Sequence, residues 1–150
     1  MKKLWILLCI FTVFAAGCGR SGTQVEGTLP ELMEKMYAGT DGDMPELVQT
    51  EVTGENAAYY LGTEDVPFTE ALASEPMINA IAHSVVLLRL EDDADVQTVK
   101  ETIRNYAQPD KWVCVGVDPN HVYVENRGNL VILIMDDIAP DTLLENFKPL

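Results

Sequence analysis

The chain has 150 residues and a net charge of −14, with 24 acidic side chains against ten basic ones. An acidic surface repels nucleic acid and anionic lipid headgroups, and no basic patch offsets it, so nucleic acid is excluded as a partner. The length suits one domain with a real core.

Lys2 and Lys3 open the chain. An apolar run from Leu4 to Phe14, broken only by Thr12, leads to Ala15, Ala16, Gly17 and Cys18. A basic start, a short apolar stretch and small residues at its end mark an export signal. The stretch falls short of the ~20 residues a helix needs to cross a hydrocarbon core. The ending Ala15-Ala16-Gly17-Cys18 resembles the lipobox of bacterial lipoproteins. The resemblance implies that residues 1–17 are a lipoprotein signal peptide, that cleavage falls before Cys18, and that a diacylglyceryl group on the Cys18 thiol holds the mature chain on the membrane. Two buried acyl chains hold far better than one, at about 0.8 kcal/mol per buried methylene. The mature chain is then 133 residues long, with eight basic residues against 24 acidic ones and a net charge of −16. Its expected place is the extracytoplasmic side of the cell membrane, lipid-anchored.

Cys9 leaves with the leader and Cys18 takes the lipid, so Cys114 stands alone and no intramolecular disulfide is available to the mature domain. Within the apolar stretch Trp112–Val117, Cys114 is expected as a buried, inert thiol.

Residues 18–27 read as the lipidated cysteine and a small, polar, flexible tether. Thr28 and Glu31 have capping-box spacing and Pro30 suits a first turn, so a helix is predicted with Leu29, Leu32, Met33, Met36 and Tyr37 on one face and Gly39 at its end. Residues 40–46 read as a loop, with Asp41-Gly42-Asp43 as a turn. A short helix over 54–61 is stopped by Gly62. Phe68–Ser74 is a candidate strand, and Ser84–Leu90 is a strand apolar on both sides. Asp92 or Asp93 is expected to cap a helix running to about Ala107, bearing Val96, Val99, Ile103 and Tyr106. Pro109 bars its continuation. Trp112–Val117 is the next predicted strand, followed by an Asp118-Pro119-Asn120 turn. His121–Glu125 alternates, Asn126-Arg127-Gly128-Asn129 is a hairpin turn, and Leu130–Met135 is a second strand apolar on both faces. A last short helix opens at Pro140 and carries Leu143, Leu144 and Phe147; Asp136 and Asp137 are expected to cap it.

The expected fold is therefore α+β: a largely antiparallel sheet of four to five strands with helices packed on it, residues 28–150 forming one domain. Two strands with two apolar faces need cover on both sides. The two late helices are expected on one face. The first helix, the 54–61 segment or a second copy must cover the other, which makes an apolar sheet face a candidate surface for an envelope partner or a homodimer.

Tyr-Tyr-Leu-Gly-Thr at 59–63, Glu-Pro-Met-Ile-Asn at 75–79, Asp-Val-x-x-Val-Lys at 95–100 and Gly-Asn-Leu-Val-Ile-Leu-Ile at 128–134 together resemble an uncharacterised lipoprotein family of Gram-positive, chiefly clostridial, bacteria that carries a domain of unknown function. The resemblance covers most of the mature domain. It implies an α+β domain outside a single-membrane cell and transfers no catalytic residues.

Zinc sites need three or four ligands, usually in close pairs, and His83 and His121 form none. His83 and Ser84 are strand neighbours and point to opposite faces, which disfavours a base–nucleophile pair; no Gly-x-Ser-x-Gly elbow occurs. Glu91-Asp92-Asp93-Ala94-Asp95 lacks the glycine and the distal glutamate of a calcium loop and fits helix capping better. No phosphate loop or dinucleotide fingerprint appears. Tyr59, Tyr60, Phe68 and Trp112 suit core packing more than a binding surface. The expectation is a non-enzymatic binding or protein-interaction module of the cell envelope, with Cys18 as lipidation site and no catalytic residue, metal or cofactor. The alternatives are an extracytoplasmic hydrolase using His83 or His121 with carboxylates, and a small-ligand carrier.

Overall fold

A computed structural model describes residues 24–40, 42 and 44–150. The signal segment, Cys9, Cys18, the tether as far as residue 23, and Asp41 and Asp43 of the expected turn lie outside the described residues.

Five antiparallel strands form one sheet: β1 (Leu47–Glu51), β2 (Glu70–Pro76), β3 (His83–Arg89), β4 (Val122–Arg127) and β5 (Leu130–Asp136), in the spatial order β1-β2-β3-β5-β4. Four helices pack on it: α1 (Leu29–Met36), α2 (Ala57–Leu61), α3 (Val96–Tyr106) and α4 (Pro140–Phe147). The α+β expectation holds. The central strands β3 and β5 are buried along nearly their whole length, as their unbroken apolar sequences require. Val86, Leu88, Val131, Leu133 and Met135 face α2, α3 and Trp112. Val85, Leu87, Leu130, Ile132 and Ile134 face α1 and α4.

The late helices therefore do not share a face. Each pairs with an early one, α3 with α2 and α4 with α1, and both faces of the central strands are covered within the chain. The expected open sheet face is absent there for a topological reason. The β4–β5 hairpin sits at the sheet edge beyond β3, so the α3 segment crosses one side before it and α4 folds back over the other side after it.

Helix α1 has the predicted capping box: the Thr28 hydroxyl accepts the Glu31 amide and the Glu31 carboxylate accepts the Thr28 amide. Asp95, rather than Asp92 or Asp93, caps α3 by accepting the Thr98 amide at 3.2 Å. The hairpin turn tightens to Gly128-Asn129, with Gly128 at φ +53°, where a side chain would be strained.

Three expectations are corrected. Residues 24–27 belong to the body rather than the tether. Val25 is buried in the α1/α4 core, and the Arg89 guanidinium donates to the carbonyls of Val25 at 2.6 Å and Gly27 at 2.7 Å. Leu47–Glu51, assigned to no element from the sequence, forms the edge strand β1. Trp112–Val117 is not a strand. Trp112 and Val117 are buried anchors while Val113, Cys114, Val115 and Gly116 between them are exposed. Its backbone amides bond to the carbonyls of Asn79 and Pro109 instead of a ladder, and Cys114 sits at φ +61°. Cys114 is thus exposed and not a buried core thiol.

Candidate functional site

Several exposed apolar side chains gather at the β1–β2 end of the sheet, on the α2 side. Among the described residues, no helix beyond α2 covers this corner. Met77 and Ile78, in the β2–β3 connection, are 71% and 58% exposed, and Val48, Tyr59 and Val113 are exposed beside them. A groove of about 530 Å³ runs between these elements, floored by Val48, Thr50 and Glu75 and walled by Tyr59, Tyr60 and Trp112. Exposed apolar side chains scattered singly are ordinary; grouped around a concave surface they mark a binding site.

The register explains the floor. Val48 pairs with Glu75 and Thr50 with Ala73, so all four share one side of the pleat. Helix α2 presents Tyr59 and Tyr60 over them, their rings edge-to-face at 4.9 Å. Gly62 ends α2 at φ +79°.

Beneath the groove lies an ion pair. Lys111 Nζ donates to Glu75 Oε1 at 2.5 Å, and its side chain is only 3% exposed. The ammonium lies 4.3 Å from the Tyr59 ring centroid and 5.2 Å from those of Tyr60 and Trp112. It also donates to the Tyr59 carbonyl, and the Tyr59 hydroxyl donates to Glu75 Oε2. Three aromatic faces and one carboxylate thus stand in for water around the cation. Burial lowers the Lys111 pKa, with Glu75 pulling the other way. Burial and the charge of Glu75 push Tyr59 up to about 12.

A second cluster lies at the same end of the sheet on the opposite side. His83 Nδ1 and Asp136 Oδ1 are 2.8 Å apart and both residues are fully buried. An ionised carboxylate only accepts, so Nδ1 carries the proton; in the neutral ring Nε2 then accepts the Tyr37 hydroxyl, at 2.8 Å. Asp136 Oδ2 accepts the Ala139 amide. Asp136 therefore fixes the entry to α4 and holds His83. Asp137 binds His121 and the Asp118 amide. Neither acid caps α4 directly, since its N-cap is Ala139. Burial raises the Tyr37 pKa above that of an ordinary phenol.

Both histidines sit against carboxylates, so neither is isolated. His83 is sealed from solvent beneath Tyr37; His121 and Asp137 are exposed, with side chains 40% and 44% accessible. Ser84 faces away from His83, as strand alternation requires, and the two do not come together. Of the acidic run, Asp92 accepts from Gln24 and Asp95 caps α3. Among the described residues no group of three or more His, Cys, Asp or Glu side chains is arranged to hold a metal ion. No helix among them is long and apolar enough to cross a membrane. Of the aromatics assigned to core packing, Trp112 lies in the core and Tyr60 and Phe68 pack against it, while Tyr59, Tyr60 and Trp112 also wall the groove. Lys111 and Glu75 carried no sequence signal: they are 36 residues apart and share no motif.

The tyrosines set an alkaline limit. Tyr37 and Tyr59 keep their protons in the folded state to higher pH than in the unfolded chain. Their contribution is full below pH 10 and is lost as pH rises through the folded values. The depressed Lys111 works in the opposite sense, but only up to its unfolded value of 10.5. Stability in urea titrations is therefore expected to fall from pH 10.5 to about 12, and Tyr59→Phe to flatten part of that fall. A flat profile over this window would contradict the assignment.

No protein-family model matches the chain, and neither do the curated proteins or the solved structures compared with it.

Proposed function

We propose that the chain is an extracytoplasmic lipoprotein held on the cell membrane by lipid on Cys18, and that its domain is a binding or protein-interaction module of the cell envelope. The observation that carries the second half is the groove bordered by the exposed apolar side chains of Val48, Tyr59, Met77 and Ile78.

The geometry supports the two halves together. The chain enters the domain at Gln24 and Val25, which are tied to Asp92 and Arg89 at the far end of β3. The groove lies at the other end, beside the β2–β3 connection. Seven strand residues separate the two ends, about 20 Å. Five residues, six backbone steps, connect Cys18 to Gln24 and reach at most about 20 Å. A lipid on Cys18 keeps the entry end close to the bilayer, and the groove is then on the side free to meet a partner.

Mass spectrometry of the protein from its native host tests the anchor. The expected result is a mature chain starting at an acylated Cys18, with Cys18→Ala losing membrane retention. An intact leader, or an unmodified Cys18, would overturn it.

A second reading, an extracytoplasmic hydrolase, draws on the pairs His83–Asp136 and His121–Asp137. It needs substrate to reach an imidazole. His83 is closed off, and His121 stands on an exposed surface with the Asp137 carboxylate as its side-chain hydrogen-bond partner and the charges of Asp118 and Asp141 nearby. Ester or amide hydrolysis lost on His121→Ala would favour this reading over the first.

A further inference from the structure

The groove is bordered by a free sheet edge. Among the described residues, strand β1 pairs only with β2. The Val52 amide bonds to the Ala71 carbonyl at 2.9 Å, one step beyond the Glu51–Leu72 pair. Bonded and non-bonded pairs alternate in an antiparallel ladder. Val48 and Thr50 therefore turn their amides and carbonyls toward β2, and Leu47, Gln49 and Glu51 turn theirs outward. The Glu51 carbonyl is taken by the Asn56 side chain at 3.0 Å. Among the described residues, the outward groups of Leu47 and Gln49 meet no hydrogen-bond partner.

Exposed edges are normally blunted by lysine, proline, a bulge or covering side chains. The opposite edge of this sheet is treated that way: Arg104 donates to the Val124 carbonyl at 2.6 Å, and Lys100 binds Glu125 and Asn126. Among the described residues, strand β1 has such a guard only at Glu51, where Asn56 takes the carbonyl, and none over residues 47–49.

We propose that β1 receives an extended segment of a partner protein as a sixth strand, one in which apolar residues alternate with basic ones. This rests on the interaction-module reading and specifies its partner. Main-chain bonds to Leu47 and Gln49 supply the pairing. Alternate side chains of the incoming strand fall on the groove side, against Val48, Tyr59 and Ile78. The intervening ones lie on the Leu47, Gln49 and Glu51 side. The strand is acidic at both ends: Glu51 is exposed on that side and Glu46 is exposed just before Leu47, and Lys111 is committed to Glu75 beneath the groove. Charge complementarity therefore selects a basic strand. A second copy is disfavoured, because each chain carries −14.

The test pans a phage-displayed library of random dodecapeptides against the full-length chain in detergent micelles. Enriched peptides are expected to alternate apolar and basic residues and to shift the backbone amide resonances of Leu47, Gln49 and Glu51. Gln49→Pro deletes an outward amide without touching the β2 ladder, and is expected to weaken binding at least tenfold. Gln49→Lys, which guards the edge and repels a basic strand without restricting the backbone, is expected to do the same; Glu145→Lys on α4 is not. Circular dichroism confirms that each variant is folded. Peptides that occupy the Ile78 groove but ignore both Gln49 variants would overturn strand addition while leaving the interaction module standing. No enrichment, enrichment of acidic peptides, or a chain that dimerises through β1 in sedimentation would each overturn the proposed occupant.

Discussion

Gly62→Ala is expected to cost more than about 4 kcal/mol, a large share of the about 5–15 kcal/mol that holds a domain of this size. Gly62 ends α2 at φ +79°, and a Cβ there would lie 1.7 Å from the Tyr106 carbonyl oxygen and 2.4 Å from its carbon. Those are backbone atoms at the end of α3, so no rotamer change relieves the overlap. The positive φ alone adds about 1–3 kcal/mol for any residue with a side chain. Relief requires α2 to lift away from α3, which exposes Ala57 and Leu61 from the core and carries Tyr59 and Tyr60 out of the groove. The urea midpoint measures the loss. A variant within about 1 kcal/mol of the parent would show that the two helix ends are not packed as described.

Asp136→Ala is expected to cost about 3–5 kcal/mol, the usual penalty for removing one partner of a buried pair. It orphans two donors at once, His83 Nδ1 and the Ala139 amide. The loss falls on both sides of one junction. His83 is the first residue of β3 and is tied through Tyr37 to the end of α1, while Ala139 opens α4. Asp136→Asn keeps one acceptor oxygen and is expected to lose less. Burial pushes the Asp136 carboxyl up, but hydrogen bonds from His83 and the Ala139 amide outweigh it and hold the group below its usual 3.8. A depressed carboxyl stabilises the fold above its unfolded value and stops doing so as pH falls through the folded one. The gap between parent and Asp136→Ala is therefore expected to be constant near neutrality and to narrow below about pH 4. A gap unchanged down to pH 2 would mean that the ionised form is not what the site holds.

Much of the frame was legible because local chemistry decided it. The Thr28/Glu31 box, the stop at Gly62, the two-sided apolar strands and the turn before Leu130 each carry their instruction within a few residues. Strand β1 was missed because a five-residue edge strand with mostly exposed positions has no apolar alternation to show. The 112–117 segment misled for the opposite reason: valines that suit a strand are held outside the sheet by long-range bonds to Asn79 and Pro109. The distribution of helices over the two faces depended on where the β4–β5 hairpin joined the sheet, which no local pattern encodes. The groove was hidden for the same reason. Tyr59, Glu75, Ile78 and Lys111 come from four segments, and long-range contacts such as the Lys111 bonds to Glu75 and the Tyr59 carbonyl gather them.

The most direct test of the interaction module is site-specific photo-cross-linking in intact host cells, with the photoreactive residue placed at Ile78 in one strain and at Glu145, exposed on α4, in another. The account predicts a discrete cross-linked species from position 78, absent or much weaker from position 145. The same pattern from both positions, or a partner caught only from 145, would contradict it.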